Sequence, residues 1–316
     1  MSDQPGGPQW ERAVLEKVAL AAIQEQRRSR QWGMFFKMMV LLYLFALLFI
    51  GMGWYSKGDV SPGSHTALVD ISGVIAPGST ASADRIMAGM QAAFKDKNTK
   101  GVILRINSPG GSPVQAGYIY DEIKRLRAKH PEIPLYAVVE DICASGGYYI
   151  AAAADKIYVD KASIIGSIGV LMDGFGFTGT MEKLGVERRL LAAGKNKGFL
   201  DPFSPIQAEQ TTHAETMLDD IHQQFITVVR QGRGKRLKET PDMFSGLLWV
   251  GKKSIDLGLA DALGSLEYVA REVVKAEDIV DYTQQENIAE RFARRFGAAS
   301  AETLLKFSGL GSFNVR

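Results

Sequence analysis

One serine stands where a chain could present a nucleophile. Ser145 follows the apolar stretch Ile142–Ala144 and precedes Gly146 and Gly147, after which an alanine-rich helix is predicted. The first N–H groups of a helix have no partner inside it, so an oxyanion formed beside Ser145 would meet donors already in place. A plain turn with a capping serine has the same pattern, and other residues must decide between the two interpretations.

A serine hydroxyl is a poor nucleophile unless a neighbouring base takes its proton. None of the four histidines falls in a recognisable triad motif; they are His65, His130, His213 and His222. A lysine can act instead where burial lowers its pKa and leaves a neutral amine. Lys195 and Lys197, between Gly194 and Gly198, are the candidates.

The single cysteine, Cys143, lies two residues before Ser145. One cysteine excludes an intramolecular disulfide and a cysteine-rich zinc site. A thiol nucleophile is the alternative to Ser145 here, although a lone cysteine in an apolar stretch is typical of a small buried side chain.

Composition and motifs predict no cofactor, no metal and no nucleic acid. The formal net charge is +2, and Lys and Arg are spread along the chain rather than gathered into one stripe. Residues 174–179 match the GxGxxG pattern of dinucleotide sites, but two phenylalanines would crowd a pyrophosphate, and no acidic residue follows at the expected distance. These aromatic side chains suit an apolar groove or an oligomer contact better.

The first sixty residues differ from the rest of the chain. Met38–Tyr55 is an apolar stretch of 18 residues without a charge, the lower end of what a membrane-spanning helix needs. Six basic residues precede it, whereas only Lys57 occurs in the twenty residues after it. The positive-inside rule therefore predicts an uncleaved signal anchor with a cytoplasmic N-terminus and with the remainder of the chain on the outer side.

Beyond residue 64, strand and helix patterns alternate, which predicts an α/β fold. Gly101–Ile106 reads as a buried strand that ends in Asn107–Gly111, and Leu135–Val139 as the strand before Ser145. Further strands are predicted at Ile164–Met172 and Glu187–Leu191. A long amphipathic helix is predicted at Ile206–Arg230, with Met217 and Phe225 on its buried face.

Three segments together resemble the signal peptide peptidase A family of membrane-bound serine peptidases. They are the residues around Ser145, the turn Asn107–Gly111 and the motif Gly166–Gly169. The resemblance runs from about His65 to Gly264, and it implies a crotonase-like or Clp-protease-like α/β fold with a Ser-Lys dyad.

The resemblance also implies a role for each matching residue. Ser145 would be the nucleophile, and Lys197, at the family's spacing from the serine, would be the general base in preference to Lys195. Ser167 would orient the lysine amine. The backbone N–H groups of Gly111 and Gly146 would form the oxyanion hole.

Substrates, partners and location follow from the same resemblance. Cleaved signal peptides and similar membrane-derived peptides are the expected substrates, and the expected location is the bacterial inner membrane with the peptidase domain on the periplasmic side. Because the chain has one motif set, we expect a ring-shaped homo-oligomer in which base and nucleophile meet across or near a subunit boundary. The predicted segments are a cytoplasmic segment (1–37), the anchor (38–55), a linker (56–64), the peptidase domain (65–275) and a C-terminal extension (276–316).

Two other functions remain open at this point. A crotonase-fold enzyme acting on acyl thioesters would use the same paired N–H groups to stabilise an enolate, without needing the serine or the lysine. A non-catalytic membrane scaffold could share the fold as well, because the fold alone does not decide the function.

Overall fold

The computed structural model describes residues 8–51 and 63–284 of the 316-residue chain. It divides the chain into two units: residues 61–285, and residues 1–60 together with 286–316. The last part of the predicted anchor with Trp54 and Tyr55, most of the predicted linker and the extension from residue 285 onward lie outside the described residues.

A single long helix forms the described part of the first unit. Helix α1, Pro8–Gly51, has 44 residues and a length of about 66 Å at 1.5 Å per residue. Its stretch Val14–Phe49 is long and apolar enough to cross a membrane, as judged by length and composition. Proline at the first position is tolerated because its missing N–H would have no helical partner there.

The second unit is built on a mostly parallel sheet whose central order is β6-β5-β3-β2-β1-β8. The strands are β1 (His65–Ser72), β2 (Thr99–Ser108), β3 (Leu135–Ala144), β4 (Lys156–Val159), β5 (Ile164–Gly166), β6 (Leu248–Val250), β7 (Ala262–Leu263) and β8 (Ile279–Asp281). Strand β3 pairs first with β4 and then, nearer its carboxyl end, with β5. Strand β6 is antiparallel to β5.

Helices cover both faces of this sheet. They are α2 (Ala83–Lys95), α3 (Pro113–Lys129), α4 (Gly146–Ala151), α5 (Thr178–Lys183), α6 (Ala208–Arg233), α7 (Gly251–Asp256) and α8 (Leu266–Tyr268), which continues as a π-helical turn at Val269–Val274. The main core lies between the sheet and α2, α3, α4 and α6. A smaller cluster, which includes Ile103, Val138 and Val269, packs the π-helical turn against the other face.

The α/β class predicted from the sequence is confirmed. Two of the expected strands differ. No strand forms at Glu187–Leu191, where the side chains are exposed, because this segment runs outside the sheet and has no neighbouring strand to bond. Strand β5 ends at Gly166 rather than Met172, since Gly166 and Ser167 both adopt positive φ angles.

Two further differences concern one side chain of α6 and the predicted end of the domain. Met217 on α6 is exposed, whereas Phe225 is buried as predicted. The sheet also continues past the predicted domain end at residue 275, because β8 pairs with β1.

Candidate functional site

Ser145 lies in a sharp turn between β3 and α4. Its backbone angles are φ 50° and ψ −122°, a region that non-glycine residues rarely adopt and that costs of order 1–3 kcal/mol. The turn is held on both sides, because Ser145 N donates to Gly166 O at 2.8 Å and Ser145 O accepts from Tyr149 N at 2.9 Å. The buried strand β3 therefore delivers the half-buried Ser145 side chain at the carboxyl edge of the sheet.

The turn after β2 packs directly against Ser145. A Cβ on Gly110 would lie 2.7 Å from Gly146 N and 2.7 Å from Ser145 Cβ. A Cβ on Gly146 would lie 3.4 Å from Gly111 N. Gly110 and Gly111 have φ angles of 102° and 148°, so this close approach requires glycine for both space and conformation.

Two backbone N–H groups are left without a partner at this contact. Among the described residues, neither Gly111 N nor Gly146 N donates a backbone hydrogen bond. Parallel bonds from Ile75 N to Gly110 O and from Ser112 N to Ile75 O fix the turn while leaving the Gly111 N–H out of the ladder. Two free N–H groups close to a serine residue are donors of the kind that stabilise a tetrahedral oxyanion.

Ser108 is a positioning residue for this turn that the sequence pattern did not single out. Its buried hydroxyl donates to Gly73 O and accepts from Gly110 N at 3.1 Å. It thereby joins the end of β1 to the glycine turn. The only sequence signal was its place in Asn107–Gly111, where serine before proline is usually an ordinary turn residue.

Ser167 directly follows β5, the strand that pairs with the end of β3 just before Ser145. Gly166 pairs with Ala144 across β5 and β3, and Ser167 has φ 49°. Strand β6 fixes this turn, because Ser167 N donates to Leu247 O at 2.8 Å. In the described residues, the hydroxyl groups of Ser145 and Ser167 make no hydrogen bond of their own, so both can bind an incoming group.

Helix α6 adds a second support that the sequence analysis missed. His222 Nε2 lies 3.1 Å from Ile168 O, the residue after Ser167. His222 belongs to no recognisable triad motif, and within the described part of the chain no histidine bonds to Ser145. Its contact with Ile168 makes it a packing partner of the Ser167 turn.

Cys143 is buried in the main core. Its side chain is 0% exposed, and burial raises the pKa of its thiol well above the ordinary value. A thiol held in this way cannot form the thiolate that nucleophilic attack requires. Of the two neighbouring candidates for nucleophile, the geometry therefore leaves Ser145.

The structure does not bring either lysine to Ser145. Lys197 is exposed in the turn 194–198, and among the described residues no hydrogen bond joins it to Ser145 or Ser167. Lys195 is engaged elsewhere, since its Nζ lies 2.9 Å from both carboxylate oxygens of Glu209. That hydrogen bond lowers the pKa of Glu209. The segment that carries both lysines, residues 171–206, is largely exposed.

Within the described residues, no cluster of His, Cys, Asp and Glu could hold a metal ion. The GxGxxG match at 174–179 is not a strand-to-helix phosphate turn either. Its first two glycines lie in an exposed irregular segment after β5, and Gly179 lies inside α5.

Comparison with known protein families gives two overlapping matches. The model of peptidase family S49 matches residues 127–280, and that of Clp protease matches residues 69–165. The first range contains Ser145, Ser167 and Lys197, and the second contains Gly111 and Ser145.

Individual relatives differ in how much of their length this chain covers. A protein named Na(+)/H(+) antiporter NhaA from Brucella melitensis is 46% identical over 177 residues, which are 56% of this chain and 24% of that protein. A putative signal peptide peptidase SppA from Enterococcus faecium is 31% identical over 60% of this chain and 54% of its own length. A putative protease from Synechocystis is 30% identical over 64% of this chain and 70% of its own length.

This chain thus spans only about a quarter of the antiporter-named Brucella relatives. The match to the Synechocystis protein, in contrast, covers most of that protein. Together with the sheet, the strained serine turn and the S49 match, it confirms the resemblance to signal peptide peptidase A proteins: the chain belongs to peptidase family S49.

Proposed function

We propose that this chain is a membrane-anchored serine endopeptidase that uses a Ser145–Lys197 dyad to degrade cleaved signal peptides and similar membrane-derived peptides. One observation carries the proposal: Ser145, strained at φ 50°, lies against the free N–H groups of Gly111 and Gly146. Strain of this kind persists only where the surrounding structure enforces it, and it is concentrated at functional sites.

The chemistry follows from these positions. A neutral Lys197 amine removes the proton from Ser145 Oγ, and the oxygen attacks the carbonyl carbon of the peptide. Gly111 N–H and Gly146 N–H stabilise the oxyanion. When the C–N bond breaks, the lysine returns the proton to the leaving amine. Water then hydrolyses the acyl-enzyme by the same proton route.

The preference for Lys197 over Lys195 has support from the surface around them. Lys195 is already engaged in an ion pair with Glu209. Lys197 has no such partner in the described residues, and it lies at the family's spacing from Ser145. The free hydroxyl of Ser167 is the acceptor or donor that would orient its amine.

A second copy of the chain is proposed to complete the site. The lysine-bearing segment 171–206 exposes large apolar side chains, including Phe175 at 79% and Leu191 at 96%. Such a surface is typical of a protein contact. A ring of copies would bury it and would carry Lys197 towards the Ser145 turn of a neighbour.

The nucleophile is tested by Ser145→Ala in the full-length protein. We expect hydrolysis of a fluorogenic peptide and labelling by a fluorophosphonate to fall to background, because the variant lacks the proposed nucleophile. Cys143→Ala is the matched control and should keep both signals. Activity that survives in Ser145→Ala would refute the serine assignment, and an unlabelled wild-type protein would favour a non-catalytic scaffold.

The shared dyad is tested by mixing two inactive variants. Ser145→Ala and Lys197→Ala are combined in detergent, allowed to exchange subunits, and assayed together. If base and nucleophile come from different copies, about a quarter of the sites regain both groups. If both groups belong to the same copy, the mixture stays inactive. A Lys195→Ala variant that is as inactive as Lys197→Ala would overturn the choice of base.

The proposed location is the bacterial inner membrane, with the N-terminus in the cytoplasm and the peptidase domain in the periplasm. Helix α1 supports the anchor, and the charge distribution of the sequence supports the orientation. Accessibility of a cysteine placed at residue 12, compared with one placed at residue 129, to a membrane-impermeant thiol reagent in intact cells would test it. Labelling at residue 12 alone would contradict the proposed orientation.

A further inference from the structure

Helix α1 carries an uncompensated group of cations next to its apolar stretch. Arg27, Arg28, Arg30 and Lys37 are all exposed. No acidic residue occurs between Glu25 and Asp59, and none of the four cations forms an ion pair among the described residues. We name these four residues the basic collar.

Three of the four side chains in the basic collar lie on one side of α1. Arg27 and Arg30 are three positions apart, and Lys37 follows Arg30 by two helical turns, so the three side chains lie on the same side of the helix. Like charges at this spacing repel one another slightly when nothing lies between them. An anion in contact with the collar would remove that repulsion.

An aromatic cluster marks where the collar would meet the hydrocarbon. Trp32, Phe35 and Phe36 contact one another with ring centroids 5.8–5.9 Å apart. This cluster moves the expected start of the hydrocarbon-spanning stretch from Met38 to Trp32. From Trp32 to Gly51, the last described residue of α1, the axial length is about 28 Å, close to the roughly 30 Å of a hydrocarbon core. With Trp32 at the interface, Arg27–Arg30 lie about 3–8 Å outside it, within the headgroup layer. Lys37 would reach the same layer by snorkelling.

We infer that the basic collar binds the headgroups of anionic phospholipids in the leaflet on the N-terminal side. Each Lys or Arg beside an anionic membrane surface is worth about a fivefold preference, and the attraction fades within a Debye length of about 8–10 Å. The inference uses the membrane anchor of the proposed function but is independent of the peptidase chemistry.

The helix supplies its own control. Arg12 and Lys17 are also exposed, but they lie about 22–30 Å along the axis from Trp32, beyond the screening distance. Arg27→Gln/Arg30→Gln and Arg12→Gln/Lys17→Gln each remove two charges and insert a residue of good helix propensity. The two variants therefore differ in where the charges are lost and not in how many.

The test uses the full-length protein reconstituted in phosphatidylcholine vesicles with trace spin-labelled lipids. Electron paramagnetic resonance gives the association constant of spin-labelled phosphatidylglycerol at the protein relative to phosphatidylcholine. We expect a ratio above one for the wild type and for Arg12→Gln/Lys17→Gln. The ratio should fall severalfold, towards one, in Arg27→Gln/Arg30→Gln and for the wild type in high salt.

Two results would overturn the inference while leaving the membrane anchor in place. One is a wild-type ratio of one, and the other is an equal fall in both double variants, which would make the effect one of total charge. A protein without any motionally restricted lipid would show that α1 does not span the bilayer, and this refutes the anchor and the collar together. None of these measurements depends on peptidase activity.

Discussion

The conformation of Ser145 depends on glycines that leave no room for a side chain beside it. Gly146 N and Ser145 Cβ occupy the space that a Cβ atom on Gly110 would need. The strain of the serine turn is therefore supported from the β2 side as well as by the bond from Ser145 N to Gly166 O. A small displacement of this turn would move the Ser145 hydroxyl and the proposed oxyanion donor Gly146 N–H together.

Gly110→Ala should therefore lower kcat by roughly 100-fold or more, comparable with the loss of an oxyanion donor. Its new methyl group needs space that Ser145 and Gly146 occupy. Gly78→Ala is the matched control, because Gly78 also has a positive φ, of 74°, but would meet nothing within 4 Å. Both variants carry the backbone strain of about 1–2 kcal/mol. Steady-state kinetics on the two proteins separates strain from displacement, and equal losses of activity would contradict the packing argument.

At the scale of elements, a buried charge cluster fixes the end of α4 that is remote from Ser145. The side chain of Arg233 at the end of α6 is 0% exposed, and its Nη1 lies 2.9 Å from Asp261 Oδ2. Arg236 bonds Asp261 Oδ1 at 3.1 Å and Asp155 O at 2.8 Å. Gly232 allows α6 to approach Ala152 O closely. Ionic contacts therefore hold in place the end of α4 that is remote from Ser145.

Burial acts to raise the pKa of Asp261, but the hydrogen bond and charge of Arg233 outweigh it and lower the pKa below its ordinary value. A carboxyl with a lowered folded-state pKa stabilises the fold above its unfolded pKa of about 4 and loses that contribution as the pH falls through the folded value.

Asp261→Asn should reduce the free energy of unfolding by about 3–5 kcal/mol at pH 7, because it leaves Arg233 as an uncompensated buried charge. Glu209→Gln is the control: it breaks an exposed ion pair with Lys195 and should cost under about 1 kcal/mol. Urea unfolding in detergent measures both. The difference between Asp261→Asn and wild type should shrink as the pH drops below 4, and a constant difference would argue against an ionic origin.

Local patterns predicted most elements of the fold, and tertiary contacts explain the exceptions. The predicted strands Gly101–Ile106 and Leu135–Val139 lie within β2 and β3, because burial and local periodicity agree there. Strands β6, β7 and β8 have two or three residues, too few to show a period. A strand was expected at residues 187–191, yet in the structure they lie outside the sheet and pair with no described strand.

The candidate site likewise contains residues that local patterns predict and residues that only tertiary contacts reveal. The turn Asn107–Gly111 and the residues around Ser145 are contiguous motifs, so sequence located both. His222 and Leu247 act through contacts with residues distant in sequence, and no local pattern indicates them. Ser108 lies within the located turn, but its bond to Gly73 O joins residues 35 positions apart. The approach of Lys197 to Ser145 stays a prediction, since it depends on groups that a single described copy does not bring together.

At the scale of the whole second unit, one polar cluster joins the start of the domain to its end. His65, which is buried, lies with Nδ1 3.0 Å from Gly63 O and with Nε2 3.0 Å from Tyr282 Oη. Tyr282 Oη donates to Asp96 at 2.7 Å. The cluster lies at the amino ends of β1 and β2, opposite the edge that carries Ser145.

Burial and the hydrogen bond to Asp96 raise the pKa of Tyr282 to about 12. A raised pKa means that the folded state holds the proton longer than the unfolded chain does. The stabilisation is therefore complete below pH 10 and is lost as the pH rises towards about 12. Tyr282→Phe should lose less stability than the wild type between pH 10 and 12, measured by urea midpoints. Tyr118→Phe, at an exposed position, should follow the wild type. Parallel plots of stability against pH for all three proteins would exclude Tyr282 as the cause of the loss.

The His65 cluster also means that the two ends of the α/β unit are neighbours in space, with Gly63 and Tyr282 on either side of one imidazole ring. A unit whose ends adjoin tolerates circular permutation and can be inserted into another polypeptide without separating its host's flanking segments. The Brucella relatives, in which the matching part is about a quarter of a much longer protein, have the chain organisation that such a portable module permits.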